Sequence, residues 1–379
     1  MAKTVKFISS ELYQKLSVLG DVIDNKPLVG ILNDFLLEFK KDEVVITASN
    51  LQTTLQTTVT LVNTEEFNIA IPAGILLDTM KNLSSQEVQM TVDTQKNIVL
   101  LKTFSGVYRI SYEDGASFPK ITLAIDKKQS IVSSKTLYKA IKTTLVAASN
   151  DNTKPVINSV FLRFENDTIT SVATDIHRLV KNEYNCHVTQ QIPDILLPKK
   201  NLVSLLALLA QKEQDITISV DNKFCCVDTG EFVWTTTLLE EKYPDYERVI
   251  PHNNNNILTV DRDMLLAGLK RLMAFTSSMS YQVVFELTGQ KLKITASDPN
   301  FGNEAEETME ILYSGQDNLK ASFNIKYFIE LLQNIDSEEV IIAFGDVNDN
   351  FVTNKAVVIK PENDAAKANI TMLLMPMII

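Results

Sequence analysis

The chain has few cysteines, and they are not spaced for disulfides or for a metal site. Only three occur among 379 residues, Cys186, Cys225 and Cys226, and they form no CxxC pair. Such usage is typical of ordinary thiols in a reducing compartment. Cys186 stands next to His187, but the further ligands that a zinc site needs are missing. We therefore expect no disulfide and no metal ion.

Long apolar runs are also lacking. The two longest, residues 202–210 and the C-terminal residues 372–379, are too short to span a bilayer. The first ten residues contain no extended apolar core followed by a cleavage site for secretion. These absences predict a soluble, cytoplasmic protein that does not contact membranes.

Motifs for nucleotide chemistry and nucleophilic catalysis are missing as well. The sequence has no GxxxxGK[ST] loop, no GxGxxG after a strand and no GxSxG elbow. His177 stands near Asp175, as half of a catalytic triad would, yet no activated nucleophile accompanies the two. The sequence therefore predicts a protein that is not an enzyme and carries no cofactor.

What the sequence does have is a threefold internal repeat. A strand-helix-strand pattern recurs with Pro72 and Pro198 at equivalent positions, 126 residues apart. A hairpin pattern of constant length occurs three times, as "FLLEFKKDEVVITASN" from Phe35, "VFLRFENDTITSVATD" from Val160 and "VVFELTGQKLKITASD" from Val283. Self-similarity at a fixed period indicates a repeated architecture.

The repeat predicts three domains, residues 1–126, 127–252 and 253–379. Each pairs two amphipathic helices with alternating strands, a pattern typical of an α+β fold with mostly antiparallel sheets. The first helix of each repeat begins near a side chain able to cap its free N–H groups. The expected capping residues are Ser9 or Ser10, Ser133 or Ser134, and Asp261.

Charge is unevenly distributed along the chain. The formal net charge of −11 argues against a surface that binds nucleic acid everywhere. Lys135, Lys139 and Lys142 nevertheless recur at helical spacing beside an apolar stripe, while acidic residues concentrate in hairpins and loops. The pattern alone fits a solvated helix face as well as a phosphate-binding face. The first helix of the first repeat is not basic, which weakens the second interpretation.

Four separated motifs add a family resemblance that covers the whole chain. The segments "SVATDIHRLV" (171–180), "KYPDYERVIP" (242–251), "FNIKYFIELL" (323–332) and the terminal "MPMII" resemble the bacterial DNA polymerase III β subunit, the sliding clamp. The resemblance implies a homodimer whose six domains close into a ring, with two helices per domain inside and antiparallel sheets outside. Such a ring encircles double-stranded DNA without reading its sequence.

The resemblance also implies partners. They are the DNA polymerase III alpha subunit, the clamp loader complex, and other polymerases and repair proteins that carry short clamp-binding peptides. The implied peptide pocket lies between the second and third domains. Its residues are Ile157, Thr174, His177, Arg178, Leu179, Pro244, Arg248, Val249, Asn324, Tyr327, Leu373, Leu374, Met375, Pro376 and Met377. Without the resemblance, a methionine-rich C-terminus is more typical of a core strand.

Two further surfaces are expected, one that binds DNA and one that joins the two subunits. The resemblance implies both, and the lysines at helical spacing add to the first. The DNA-binding residues are Lys26, Lys135, Lys139, Lys142, Lys154, Lys199, Lys200 and Arg271. The residues of the dimer interface are Arg109, Ile110, Tyr112, Ala274, Phe275, Glu304, Glu306 and Glu307.

The chain departs from the family pattern at two positions. Ile176 stands where the family usually has glycine, and Ile378 stands where it usually has a basic residue. These departures and the non-basic first repeat leave an alternative, a three-domain interaction scaffold that does not encircle DNA.

Overall fold

The computed structural model describes residues 2–61, 65–119, 127–165, 167–347, 352–362 and 368–378. The domain boundary expected at residue 126 lies outside these ranges. Within them the chain forms six α-helices, two for each repeat, which confirms the expected number per domain. They are α1 (Ser9–Gly20), α2 (Ala73–Lys81), α3 (Ser134–Leu145), α4 (Lys199–Leu209), α5 (Arg262–Leu272) and α6 (Ile325–Gln333).

The strands are short and follow one another closely along the chain. They are β1 (Ala2–Ile8), β2 (Asp34–Lys40), β3 (Glu43–Ser49), β4 (Thr53–Thr60), β5 (Phe67–Pro72), β6 (Glu87–Asp93), β7 (Ile98–Lys102), β8 (Val107–Ser111), β9 (Glu113–Asp114), β10 (Lys128–Ser133), β11 (Ser159–Glu165), β12 (Thr168–Thr174), β13 (Arg178–Asn185), β14 (Ile195–Pro198), β15 (Asp215–Val220), β16 (Phe224–Asp228), β17 (Phe232–Thr237), β18 (Asn256–Asp261), β19 (Gln282–Thr288), β20 (Lys291–Asp298), β21 (Asn303–Glu310), β22 (Leu312–Ser314), β23 (Leu319–Asn324), β24 (Glu339–Phe344), β25 (Val357–Pro361) and β26 (Ala368–Leu374).

These strands form four sheets, whose ladders are all antiparallel in the described part of the chain. Two sheets have four strands, in the orders β1-β6-β7-β8 and β21-β20-β19-β23. Two have nine, in the orders β10-β15-β16-β17-β4-β3-β2-β5-β9 and β14-β11-β12-β13-β26-β25-β24-β18-β22. The α+β class with antiparallel sheets is thereby confirmed.

The repeated hairpin is present in all three copies, as β2–β3, β11–β12 and β19–β20. Apolar side chains at every second position bury one face of each hairpin, as the period of two in a strand requires. Phe35 and Phe39 in the first copy, Phe164 in the second and Phe285 in the third are all 2% exposed or less.

The chain divides into two compact units, and the middle repeat contributes to both. Unit 1 comprises Met1–Lys135, Thr189–Pro193 and Lys200–Leu238; unit 2 comprises Thr136–Val188, Asp194–Lys199 and Leu239–Ile379. The cause is strand pairing, because β17 of the middle repeat pairs with β4 in unit 1 and β13 pairs with β26 in unit 2. The three domain boundaries therefore stay predictions from the repeat.

The expected helix caps are correct in one case and wrong in another. Asp261 caps α5, since its carboxylate accepts a hydrogen bond from the Met264 N–H at 2.6 Å. At α1 no side chain caps the N-terminus. The Ser9 hydroxyl instead donates to the Ser84 carbonyl and accepts from the Gln86 N–H, which ties the helix to the segment before β6.

The middle repeat makes the corresponding tie. The Ser134 hydroxyl donates to the Lys212 carbonyl and accepts from the Gln214 N–H, both at 3.0 Å. A serine at this position thus serves the repeat by joining two elements. No helix in the described residues is both long and apolar enough to cross a membrane.

Candidate functional site

The turn that joins β12 to β13, residues 174–178, is fixed by its own side chains. The Thr174 hydroxyl accepts from the Ile176 N–H at 3.2 Å and donates to the Arg178 carbonyl at 2.7 Å. The Asp175 carboxylate accepts from the N–H groups of His177 and Arg178 at 3.1 and 2.9 Å. Short polar side chains that bind nearby backbone groups in this way specify a turn locally. We call this segment the 174–178 turn.

A largely buried arginine anchors the turn. The Arg178 side chain is 7% exposed, and its Nε lies 3.0 Å from an Asp175 oxygen that is also shielded from solvent. A second carboxylate, that of Glu330, pairs with the other end of the guanidinium. The central carbon of the Arg178 guanidinium lies 4.5 Å from the ring centre of Tyr327. The Tyr327 ring in turn stacks against the His177 ring, with ring centres 5.9 Å apart. A buried charge with two carboxylates and an aromatic face is held in one orientation.

A cavity of about 380 Å³ opens beside this turn, within unit 2. Its lining is mainly apolar and comes mostly from three segments that are far apart in sequence, with Ile157 and Ala356 in addition. The segments are the 174–178 turn, the loop around residues 243–249, and the end of β26 with Met375, whose N–H donates to the His177 carbonyl at 2.8 Å. The volume and the few oriented polar groups are typical of a small-ligand or peptide site.

The floor of the cavity is a packed aromatic cluster. Phe161 stacks on Tyr243 with ring centres 5.4 Å apart and contacts Tyr246 at 5.9 Å. Leu179 and Leu373 belong to the same buried cluster. Burial raises the pKa of the Tyr243 phenol, which stays neutral at physiological pH. The cluster is therefore closely packed and uncharged.

The structure brings most of the predicted pocket residues together. Those that line the cavity are Ile157, Thr174, His177, Arg178, Leu179, Pro244, Val249, Leu373 and Met375. Those that do not line it are Arg248, Asn324, Tyr327, Leu374, Pro376 and Met377.

The residues outside the lining have other roles. Asn324 caps α6 by accepting from the N–H groups of Lys326 and Tyr327, and Leu374 is fully buried in the core. Arg248 is exposed and pairs with Asp245 at 2.7 Å. The Met377 N–H donates to the Ser322 carbonyl. For Leu374, the interpretation of the C-terminus as a core strand is the better one.

Five lining residues are outside the predicted set. One is Ile176, which the sequence singles out only as a departure from the family pattern; the others are Tyr243, Asp245, Tyr246 and Ala356. Two of them carried a usable signal, because Tyr243 and Tyr246 flank a proline within the quoted motif "KYPDYERVIP". Two aromatic residues three apart around a proline favour a turn that buries both rings on one side. Ala356 offered no such signal.

The predicted DNA-binding residues differ in how free their charges are. Lys26, Lys139 and Lys142 are exposed, and within the described residues none of them has an ion pair. Lys142 lies 5.2 Å from the ring centre of Tyr138 on its own helix. Lys135 and Lys154, also exposed, pair with Glu213 at 2.9 Å and Asp151 at 3.8 Å. Exposed pairs of this kind are weak and leave the lysine available.

The three other predicted DNA-binding residues also have partners within the chain. Lys199 is half-buried and donates to the Ala148 carbonyl and to Asn150, and burial lowers its pKa. Lys200 pairs with Asp24 at 2.9 Å. Arg271 makes two hydrogen bonds, at 2.6 and 2.9 Å, to Glu307.

The predicted dimer-interface residues lie on or next to the outer strands of the four-stranded sheets. On β8, an outer strand in unit 1, Arg109 is exposed, whereas Ile110 is 3% exposed and packs into this chain's own core. Tyr112 follows directly and is half-buried. An unpaired outer strand offers its free N–H and C=O groups to another chain.

In unit 2 the corresponding outer strand is β21, which carries the three predicted glutamates. Glu304 and Glu306 are exposed, and Glu306 pairs with Lys293 at 2.6 Å. The hydrogen bonds from Arg271 lower the pKa of Glu307. Ala274 and Phe275, in the 3-10 turn Met273–Phe275 after α5, are exposed as well.

The described residues offer little for catalysis or metal binding. No three His, Cys, Asp or Glu side chains among them are grouped as a metal site requires. The Asp175 carboxylate accepts from backbone N–H groups, while the His177 ring stacks on Tyr327, so the two do not form a catalytic pair. Cys186 is buried, and His187 pairs with Asp167 at 2.9 Å.

Comparison with known proteins decides the family. Models of the N-terminal, central and C-terminal domains of the DNA polymerase III beta subunit match residues 6–122, 131–245 and 247–378. The chain belongs to the DNA polymerase III beta subunit family. It consists of three clamp domains and acts as a DNA sliding clamp, a non-catalytic processivity factor of DNA polymerase III that binds DNA and the polymerase. This match favours the clamp over the interaction scaffold.

Relatives of this clamp share a quarter of its sequence over nearly its whole length. The beta sliding clamp of Pseudomonas aeruginosa is 26% identical over 351 residues, 91% of this chain and 94% of the relative. A crystal structure of DNA polymerase III subunit beta from that organism is 25% identical, with a TM-score of 0.92 and full coverage of both chains. Another, of a sliding clamp from the same species bound to griselimycin, is 24% identical, with a TM-score of 0.92 over both full chains.

Proposed function

We propose that the cavity beside the 174–178 turn binds short, mainly apolar peptides of the DNA polymerase III alpha subunit and so tethers the polymerase to the clamp. The observation that carries this proposal is a cavity of about 380 Å³ that has a mainly apolar lining and a fixed Arg178 in its wall. Leucine and methionine side chains adapt to different apolar partners, and the arginine and His177 supply orientation. The relative solved with griselimycin supports a ligand-binding clamp surface.

Peptide binding is tested with labelled, overlapping 20-residue peptides that tile the alpha subunit encoded by the same genome. Val249→Asp and Met375→Asp place charge at two exposed apolar positions of the cavity wall, 56% and 45% exposed. We expect each to weaken binding of the captured peptide at least tenfold, because a carboxylate must lose water when the peptide docks. Fluorescence anisotropy measures the affinity, with griselimycin as a competitor.

Leu312→Asp is the matched control, since Leu312 is 68% exposed in the same unit but does not line the cavity. It should leave the affinity within twofold. Equal binding by all four proteins, or loss of binding in the Leu312 variant alone, would contradict the proposal.

We further propose that Lys26, Lys139 and Lys142 contact the phosphates of double-stranded DNA without reading bases. Their support is exposure and freedom from ion pairs within the described residues. Contacts of this kind are weak, mobile and sensitive to salt, so retention on DNA depends on a closed ring more than on affinity. Lys199 is hydrogen-bonded to the segment that follows α3, so a charge reversal there would test folding as much as DNA binding.

Ring closure is proposed to join β8 of one copy to β21 of a second copy, head to tail. Both are outer strands, and β21 adds exposed carboxylates to the exposed Arg109 on β8. Phe275→Asp should shift the protein from dimer to monomer, because Phe275 is exposed beside this surface and a carboxylate there would have to lose its water when the two copies associate. Sedimentation velocity measures the shift, and a dimer of unchanged affinity would refute this arrangement.

The same cavity is proposed to serve the clamp loader complex, other polymerases and repair proteins in turn. An adaptable apolar surface supports one shared site better than several dedicated ones. The chain itself has no nucleotide-binding loop, which leaves ring opening to a separate loader. The cytoplasm is the proposed compartment, in keeping with three cysteines that are free and buried.

A further inference from the structure

We propose that Ile176 sets how tightly the cavity binds a peptide, by holding an apolar side chain in the cavity lining in a strained backbone conformation. This inference rests on the proposed peptide-binding function. Ile176 has φ = 80°, in the left-handed region where β-branched residues are genuine outliers. A residue kept in such a conformation must be held there by its surroundings.

The surroundings do hold it. The Ile176 N–H donates to the Thr174 hydroxyl, and the following two N–H groups donate to Asp175. The Asp175 N–H donates to the Arg178 carbonyl at 3.3 Å, which closes the turn across its base. Since Arg178 is itself fixed by two carboxylates, the strain at Ile176 is opposed by a rigid frame.

The strained side chain is also exposed, so it gains little from the fold. Ile176 is 63% exposed and lines the cavity together with Val249 and Met375, which are 56% and 45% exposed. We call these three residues the apolar rim. An exposed apolar side chain adds little to the stability of the free protein, but it favours binding when a ligand covers it, because its surface is then removed from water.

The first repeat contains a matched copy of this turn without the cavity. Leu51 has φ = 73° and is 39% exposed. Its N–H donates to the Ser49 hydroxyl at 3.3 Å, and the Asn50 side chain accepts from the N–H groups of Gln52 and Thr53 at 3.1 and 2.8 Å. Leu51 belongs to unit 1 and does not line the cavity. It is therefore an internal control for the strain alone.

The test uses the full-length chain and the alpha-subunit peptide captured by the wild type. Ile176→Gly should weaken binding about tenfold, through loss of a half-exposed isoleucine contact. The same variant should raise the melting temperature by about 2–5 °C, because glycine adopts positive φ without strain. Ile176→Leu keeps an apolar side chain and should hold the affinity within twofold. Leu51→Gly should raise the melting temperature similarly and leave binding unchanged.

Opposite shifts in stability and affinity at Ile176, with a shift in stability alone at Leu51, support the proposal. Unchanged binding by Ile176→Gly, or a fall in its melting temperature, overturns it while leaving peptide binding intact. If no peptide of the alpha subunit binds the wild type, the proposed function fails and this inference fails with it.

Discussion

The turns after the repeated hairpin in the first and second repeats share a backbone but differ in what surrounds them. In both, the N–H of the second turn residue donates across the base, from Asn50 to Thr53 and from Asp175 to Arg178. In both, an Asn or Asp side chain accepts from the next two free N–H groups. The repeat thus reproduces the bend itself.

The difference lies at the last residue of the turn. Thr53 makes a neutral contact with the Thr236 hydroxyl at 3.1 Å, whereas Arg178 joins Asp175, Glu330 and a tyrosine face. The loop around residues 243–249 and the end of β26 then build a cavity beside the second turn. Repetition supplies the geometry, and segments outside the repeated hairpin supply the binding site.

The largest expected effect is that of Arg178→Ala, which removes the charged anchor that the turn of the first repeat lacks. It leaves the Asp175 carboxylate shielded and unpaired, which costs about 3–5 kcal/mol of unfolding free energy. Thr53→Ala, the matched change in the first repeat, should cost only about 1 kcal/mol. Urea denaturation measures both, and equal losses would mean that the two turns are anchored alike.

Asp34 and Ser159 occupy the same repeat position and offer a second comparison. The Ser159 hydroxyl donates to the Val156 carbonyl, whereas one Asp34 oxygen is buried without a hydrogen-bond partner in the described residues. Burial, with a contribution from Glu113, raises the pKa of Asp34 to about 6. The folded state therefore prefers the protonated form, and stability is lost as the pH rises from about 4 through 6.

Asp34→Asn should accordingly stabilise the protein by about 1–2 kcal/mol at pH 7.5, after allowance for screening by solvent. The gain should shrink as the pH falls and vanish near pH 3, where the wild-type carboxyl is protonated in both states. Thermal melts across this range measure it, and Ser159→Asp should show the reverse trend. A gain that does not depend on pH would rule out the ionisation of Asp34 as its cause.

The smallest expected effect comes from substitutions in α3, the first helix of the second repeat, which differs from α1 in its charge. Lys139 and Lys142 of α3 stand where α1 has Gln14 and Ser17. Lys139→Glu with Lys142→Glu should weaken binding to duplex DNA about tenfold at low salt and reduce the slope of log K against log salt by about 2. Electrophoretic mobility shifts at several salt concentrations measure this change.

The double change Lys41→Glu with Lys96→Glu alters the net charge equally at two exposed loop positions. It should leave the slope unchanged. If both double variants lose the same affinity, total charge and not the α3 lysines governs binding.

The fold was predictable from sequence because the hairpin patterns are local and occur three times. Alternation of apolar residues places Phe39 and Phe164 on the buried face, and Asp261 was correctly expected to cap α5. The Ser9 cap was not, because its hydroxyl finds partners in a segment 75 residues away. The pairing of β17 with β4 was equally out of reach, since the choice between outer strands depends on long-range packing.

The candidate site was predictable only through resemblance to the family. Segments around residues 174, 244 and 373 have nothing in their periodicity that brings them together. Tyr243 and Tyr246 are outside the predicted set because the resemblance points to Pro244 and Arg248 in their motif. The hydrogen bond from Lys199 to the Ala148 carbonyl is equally invisible in the sequence, and DNA binding by Lys199 stays a prediction. Burial and local partners, which decide these roles, are properties of the folded chain.

The sharing of the middle repeat between the two nine-stranded sheets has a consequence for dissecting the protein. A fragment cut at either repeat boundary would separate β4 from β17 or β13 from β26. Each cut would leave a strand edge with free N–H and C=O groups, and such edges promote aggregation between chains. A single sequence repeat of this protein is therefore a poor unit to express alone. The repeats can be counted in the sequence, but one cannot be removed without exposing strand edges of its neighbour.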